Sequence, residues 1–294
     1  MSLAPNTGSV ELRAYSAHVS RLLARGERID RRPFDAYRVP TVVREARCGT
    51  AGSSSQGPTG SGVLAAVMYT DAFGTCIQCT VQGLLGPPHP AQPAAGRLNV
   101  HVEAPFVEHV GGAASVNYRS FQYMVTSGSA DLPLRQLEGY IGTVLDGCLD
   151  LGQLSILEGE ACWVLNVTVT LLSFDGGLRA GGLHAVLAAL HNMQLPRTRL
   201  PNGDVVESRR LQLSCCPVAC TFAFFAGAQV QLVSDATAIE EHVADGLITL
   251  AVSEREELVG VHHTGRCPLL AQALTAAAQE WVSASASMRK AVYG

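Results

Sequence analysis

Lysine is almost missing from this chain: 20 of its 21 basic residues are arginine, and Lys290 is the exception. Charged residues of either sign are sparse, at 16% of 294, and aromatics reach only 6%. So little charge beside 47% apolar residues excludes a chain disordered throughout and predicts broad surfaces that need covering. Also missing is any apolar run of the roughly 20 residues that a membrane-spanning helix needs. The longest runs, such as Cys162 to Leu172, are broken by polar residues, so no such helix is expected. The start MSLAPNTGSVELRAY has no basic segment followed by an apolar one, so no secretory leader is expected and an intracellular setting follows. The nine cysteines are odd in number and scattered, which predicts reduced, mostly buried thiols rather than a disulfide framework.

What is present is enough chain for a sizeable core and for two domains. The net charge of -4 hides an asymmetry, because residues 1–47 hold nine arginines against five acids and the remainder carries the compensating excess of acid. The arginine preference fits bidentate phosphate contacts, and it fits a coding bias toward Arg, Ala and Gly equally well.

Residues 11–25 place Leu12, Tyr15, Val19, Leu22 and Leu23 at helical spacing, which predicts a leading helix. Prolines and clustered charges over 26–40 predict an extended segment laid against the body, and the Gly/Ser-rich stretch 50–61 predicts a mobile insertion. Strands are predicted at 63–69 and 75–82, as a hairpin, and at 100–107. A long helix follows from Leu132, then a central strand over 161–172, a glycine-dense turn over 174–182 and a helix over 183–193 that Pro196 stops. A second set comprises strands near 220–225, 230–233, 247–252 and 258–262 and a closing helix over about 268–292. The order predicts two α+β halves: an N-terminal helix or extension over 1–25, a first domain over 26–196 and a second over 197–294.

Two segments have the makings of a site. Phe174-Asp175-Gly176-Gly177-Leu178-Arg179 runs from a buried strand into a helix start, where backbone amides and the helix dipole favour an anion. The same glycines also suit a tight turn with no ligand. The acids Asp235, Glu240, Glu241 and Asp245 follow a strand and would suit Mg²⁺, or simply the first turn of a helix. Cys76 and Cys79 have CxxC spacing, but they and Cys215, Cys216 and Cys220 lie in or beside apolar strands, where cysteine serves as a small hydrophobe. No metal ligand set and no cofactor are expected. The histidines accompany no HExxH or nucleophile-elbow pattern.

Taken together, several motifs resemble the RNase PH family, and within it the RNase PH-like subunits of the eukaryotic exosome ring, with the ribosomal RNA-processing protein 43 subgroup the nearest. Arg28-Ile29-Asp30-Arg31-Arg32 through Arg38 resembles the family's RxDGRxxxxxR opening, with Arg31 where Gly is usual. Gly74-Thr75-Cys76 through Gly86-Pro87-Pro88 is similar to its strand and proline loop, and Leu183 to Pro196 to its AALxNxxLP helix end. Pro217 to Phe225 and Leu232 to Thr237 resemble its PxxxTFxxF and LVDPT segments. The resemblance implies tandem split βαβ halves in an RNase PH-like fold. Its phosphorolytic members carry Thr where Leu178 stands and a second aspartate where Glu241 follows Asp235, while Arg179 matches their phosphate ligand. It therefore implies a non-catalytic subunit, for assembly and RNA threading in 3′–5′ processing and decay, with an active phosphate-dependent exoribonuclease as the alternative. The implied partners are other RNase PH-like ring subunits, cap subunits, an associated nuclease and single-stranded RNA in the channel, with no membrane. The implied setting is nucleus, nucleolus and cytoplasm. The segment 116–123 faces that channel in the family, which nominates Arg119, flanked by Tyr118, Phe121 and Tyr123, and Arg179 as RNA contacts; the same aromatics equally suit packing against neighbouring subunits.

Overall fold

The computed structural model describes residues 7–45, 62–72, 74–105, 131–191, 193–200, 203–225, 231–265 and 270–294. The insertion at 50–61 and the 116–123 segment with Arg119 lie outside these residues.

Along the chain, α1 (Thr7–Leu23) leads through an irregular segment to β1 (Thr41–Arg44), β2 (Gly62–Thr70), β3 (Cys76–Gly86) and β4 (Arg97–Glu103). Then come α2 (Asp131–Cys148), β5 (Ser155–Leu157), β6 (Ala161–Ser173) and α3 (Leu178–Leu190). Four two-residue strands, β7 (Gln194–Leu195), β8 (Thr198–Arg199), β9 (Val205–Val206) and β10 (Arg209–Arg210), form two small ribbons. The second half has β11 (Val218–Phe225), β12 (Gln231–Ser234), α4 (Ala238–Val243), β13 (Gly246–Val252), β14 (Leu258–Gly265) and α5 (Leu270–Tyr293).

The first sheet runs β1-β2-β3-β6-β4, with β5 also on β6. Only β4 and β6 pair in parallel, and α2 lies between them in sequence as the crossover such a pair requires. Along β6 the side chains of Trp163, Leu165, Val167, Val169 and Leu171 are buried, as alternation on a central strand dictates. The second sheet is antiparallel throughout, β12-β11-β13-β14. This is the expected α+β pair of halves.

α2, α3 and α5 lie between the sheets. α3 packs on β2, β3 and β6 on one side and on β11 and β13 on the other, α2 bridges β4 and β14, and α5 lies on β11 and β13. A helix covered all round has no polar face to spare, and every residue of α3 except Arg179 is buried. Trp281 of α5 is fully buried and donates its indole N–H to the Val218 carbonyl at 3.0 Å. α1 turns Val19 and Leu23 onto Ala223, Val233, Ala236 and Ile239 of the second half, while Tyr15 of the same stripe stays 43% exposed.

Several boundaries differ from expectation: β3, for one, runs to Gly86 rather than Gln82, and α1 spans Thr7–Leu23 rather than 11–25. β4 begins at Arg97 rather than Val100. α3 begins at Leu178, so the predicted turn over 174–182 ends at Gly177. Gly181 and Gly182 are helical because they admit neighbours: a Cβ on Gly181 would press on Tyr69 and Ile77, and one on Gly182 on Leu137. Close packing there outweighs the ~1 kcal/mol that each glycine costs a helix.

Candidate functional site

The turn after β6 is seated on the second half of the chain. Gly176 and Gly177 have φ of 90° and 65°, in the left-handed region. A Cβ on Gly176 would collide with the Ala236 carbonyl oxygen, so backbone rests on backbone and only glycine fits. Thr75, buried in β3's approach, locks the turn from the other side: its hydroxyl donates to the Gly176 carbonyl at 3.1 Å and accepts from the Asp175 N–H at 2.9 Å. Leu178 then points into the core, 5% exposed, and offers the turn no hydroxyl.

Opposite the turn stands the acidic segment. Asp235 adopts φ 48°, a strained conformation for a residue with a side chain. Arg38 holds it there, with Nε and Nη2 donating to the two carboxylate oxygens at 2.8 Å each and the Arg38 backbone N–H donating at 2.6 Å. Arg32 Nη1 adds a bond at 3.3 Å. Burial works to raise the Asp235 pKa, but the charge and hydrogen bonds of Arg38 prevail and hold it below the usual carboxylate range. The other arm of Arg38 donates to the Asp175 carbonyl at 2.8 Å and lies 3.4 Å from Asp71. Burial lifts Asp175 to about 6, with Arg38 opposing the rise.

Glu240 and Glu241 part ways because successive residues of α4 face differently. Glu240 closes a capping box with Thr237 and takes a bidentate grip from Arg28, Nε at 3.0 Å and Nη2 at 2.7 Å, both side chains fully buried. Glu241 reaches the head of α3, where its Oε1 accepts the Gly177 N–H at 2.7 Å. Burial pushes Glu241 up to about 7, against the pull of that bond and of Arg179. Arg179 donates from Nη2 to Gln136 at 3.0 Å, while its Nε is buried without a hydrogen-bond partner.

The two candidate segments of the sequence are thus brought together, and Arg179 and Asp235 flank one turn. The Asp245 backbone N–H donates to the Phe224 carbonyl. Cys76 and Cys79, three apart on β3, fall on opposite faces of the strand. Among the described residues no three His, Cys, Asp or Glu side chains are arranged to share a metal ion. Both Asp235 oxygens point at Arg38. Sequence reasoning missed Arg38, Arg28 and Thr75 as members of the site. Their signal was there, in the arginine spacing of the 28–38 segment and in the Gly74-Thr75 pair.

Residues 65–196 match domain 1 of the 3′ exoribonuclease family, RNase PH, and residues 215–279 match its domain 2. The chain belongs to the RNase PH family. Its similarity extends to exosome complex component RRP45 of Danio rerio, 28% identical over 218 residues, which covers 68% of this chain and 52% of that protein. It extends also to exosome complex component Rrp42 of Methanothermobacter thermautotrophicus, 27% identical over 139 residues, 44% of this chain and 50% of that one. The chain spans about half the length of these curated relatives. Among solved structures, an archaeal exosome core superposes with a TM-score of 0.73 at 20% identity, covering 97% of this chain and 99% of that one. The Archaeoglobus fulgidus exosome with RNA bound to the active site also gives 0.73, at 21% identity, covering 96% of this chain and 98% of its own. The expected RNase PH-like fold is therefore the observed one. The narrower likeness to the ribosomal RNA-processing protein 43 subgroup rests on the sequence motifs alone.

Proposed function

We propose that this chain is a non-catalytic RNase PH-like subunit of an exosome-type core ring, supporting assembly and the threading of single-stranded RNA for 3′–5′ processing and decay. The observation that carries the reading is the fate of the acidic pair. Asp235 is engaged by a bidentate bond to Arg38 and Glu241 by the head of α3, so both carboxylates already have partners within the chain. Leu178, turned into the core, removes the hydroxyl that phosphorolytic members place beside Arg179. Relatives named as exosome components, and an exosome neighbour with RNA bound, support other RNase PH-like ring subunits and RNA as partners; cap subunits and an associated nuclease complete the proposal. Nucleus, nucleolus and cytoplasm as the working compartments are part of this proposal. The domain limits 26–196 and 197–294, with 1–25 as an extension, belong to the same proposal.

The test uses labelled single-stranded RNA with phosphate and Mg²⁺. The isolated chain is expected to release no nucleoside diphosphates, and in the assembled ring the RNA is expected to crosslink to this chain, less so after Arg119→Glu. Losing one phosphate contact to a single strand lowers the salt slope of binding by about 0.7. Diphosphate release by the isolated chain that vanishes on Asp235→Ala would overturn the silent reading. Crosslinking that Arg119→Glu leaves unchanged would remove Arg119 from the RNA path.

A further inference from the structure

The head of α3 is built for an oxyanion and already holds one. Its first amide, on Gly177, is aimed by two successive left-handed glycines, and the helix dipole reinforces its partial positive charge. Arg179 stands in the first turn, close enough for its charge to act on Glu241, with a buried Nε that has no hydrogen-bond partner among the described residues. Close enough to Arg179 for the two to interact, the Tyr140 hydroxyl is buried and also lacks a partner among the described residues. Unmatched buried donors beside a helix head describe a seat for a group with several acceptor oxygens, more than one carboxyl can serve. The group in the seat is the Glu241 carboxyl, delivered from α4, 64 positions along the chain, on the longer arm that glutamate has over aspartate.

We propose that Glu241 is a built-in occupant of this oxyanion seat, shutting it to inorganic phosphate and phosphodiester oxygens as long as its carboxyl stays on the Gly177 amide. The inference rests on the silent-subunit reading and adds a cause to it: the site has lost ligands and is also filled from within. Withdrawing Glu241 frees the Gly177 N–H and removes a negative charge from beside Arg179, and both changes favour an incoming anion.

The experiment takes the full-length chain as wild type, Glu241→Ala and Glu241→Gln, and compares unfolding temperatures in about 50 mM phosphate with those in sodium chloride of equal ionic strength. Glutamine keeps the seat filled, so wild type and Glu241→Gln are each expected to show the same unfolding temperature in phosphate as in chloride. Glu241→Ala is expected to gain about 3 °C in phosphate, the shift that millimolar binding produces in a chain of this size, and to lose that gain when Arg179→Ala is added. A phosphate-specific rise in the wild type overturns the proposal, as does a folded Glu241→Ala that shows none. If Glu241→Ala does not fold, Glu241→Ser and the wild-type titration decide by the same criteria. Either failure is separate from that of the silent reading, which falls only to diphosphate release from RNA.

Discussion

A carboxyl that burial lifts to about 7 gives up stability wherever it must ionise in place, and Glu241 is such a group. Between pH ~4.5 and 7 the folded chain keeps a proton on Glu241 that the unfolded chain has released, so this residue's contribution falls as pH rises through that window. Asp175, lifted to about 6, acts in the same sense. His184 acts in the opposite one: burial lowers it to about 3, so protonation of the unfolded chain erodes stability as pH falls below ~6.5. Glu241→Gln keeps the acceptor for Gly177 and removes only the titration. Its stability is expected to match the wild type near pH 4.5 and to exceed it by up to ~3 kcal/mol at pH 8. Urea unfolding at the two pH values checks this, and a difference that does not change with pH would refute it. Arg31 shows how a residue-level departure becomes legible in three dimensions. It stands where the family usually has glycine and holds φ 63°, a conformation that costs a side-chain-bearing residue ~1–2 kcal/mol.

At the scale of elements, the irregular segment between α1 and β1 is a strap with arginine rivets. Arg28 reaches Glu240 and the carbonyls of Ser234 and Asp235, and Arg38 reaches Asp235, Ala236 and the 174–177 turn. Cutting one rivet leaves a buried acid without its partner. Arg28→Ala is expected to cost ~3–5 kcal/mol, and Arg28→Ala with Glu240→Gln clearly less than the sum of the two single changes. Denaturant midpoints of the three variants measure this, and an additive result would mean that the pair is not coupled. Much of this architecture was legible in the sequence. Period-two burial on β6, a continuously buried run on β11 and period-3.6 burial on α2 were written in the order of apolar residues, and the RNase PH likeness added the tandem arrangement. The early start of α3 was not legible, because Gly181 and Gly182 look like breakers until Tyr69 and Leu137 are seen against them. Nor was the strap's role, because charges clustered among prolines say nothing about which acids, some 200 positions away, they will meet. The acidic run after β12 read equally as a metal site or a helix start. It proved to be a capped helix start whose acids are spent on arginines and on one backbone amide.

For the molecule as a whole, α3 is the shared property of both halves. The first sheet covers one side of it and the second sheet the other. Neither half can dry both sides alone, so the two are expected to unfold in one cooperative step. Each carries its own reporter, Trp163 on β6 and Trp281 on α5. With Trp163→Phe and Trp281→Phe isolating each signal in turn, the two urea curves are expected to coincide once each is set against its own variant's circular dichroism transition. Fluorescence changes well separated from that transition would show halves that melt independently. The same sharing has a consequence during synthesis. α3 leaves the ribosome well before β13, the last strand that covers it, is complete at Val252. Until then a nascent chain displays a helix that is apolar on every side, a window in which sticking to other chains competes with folding.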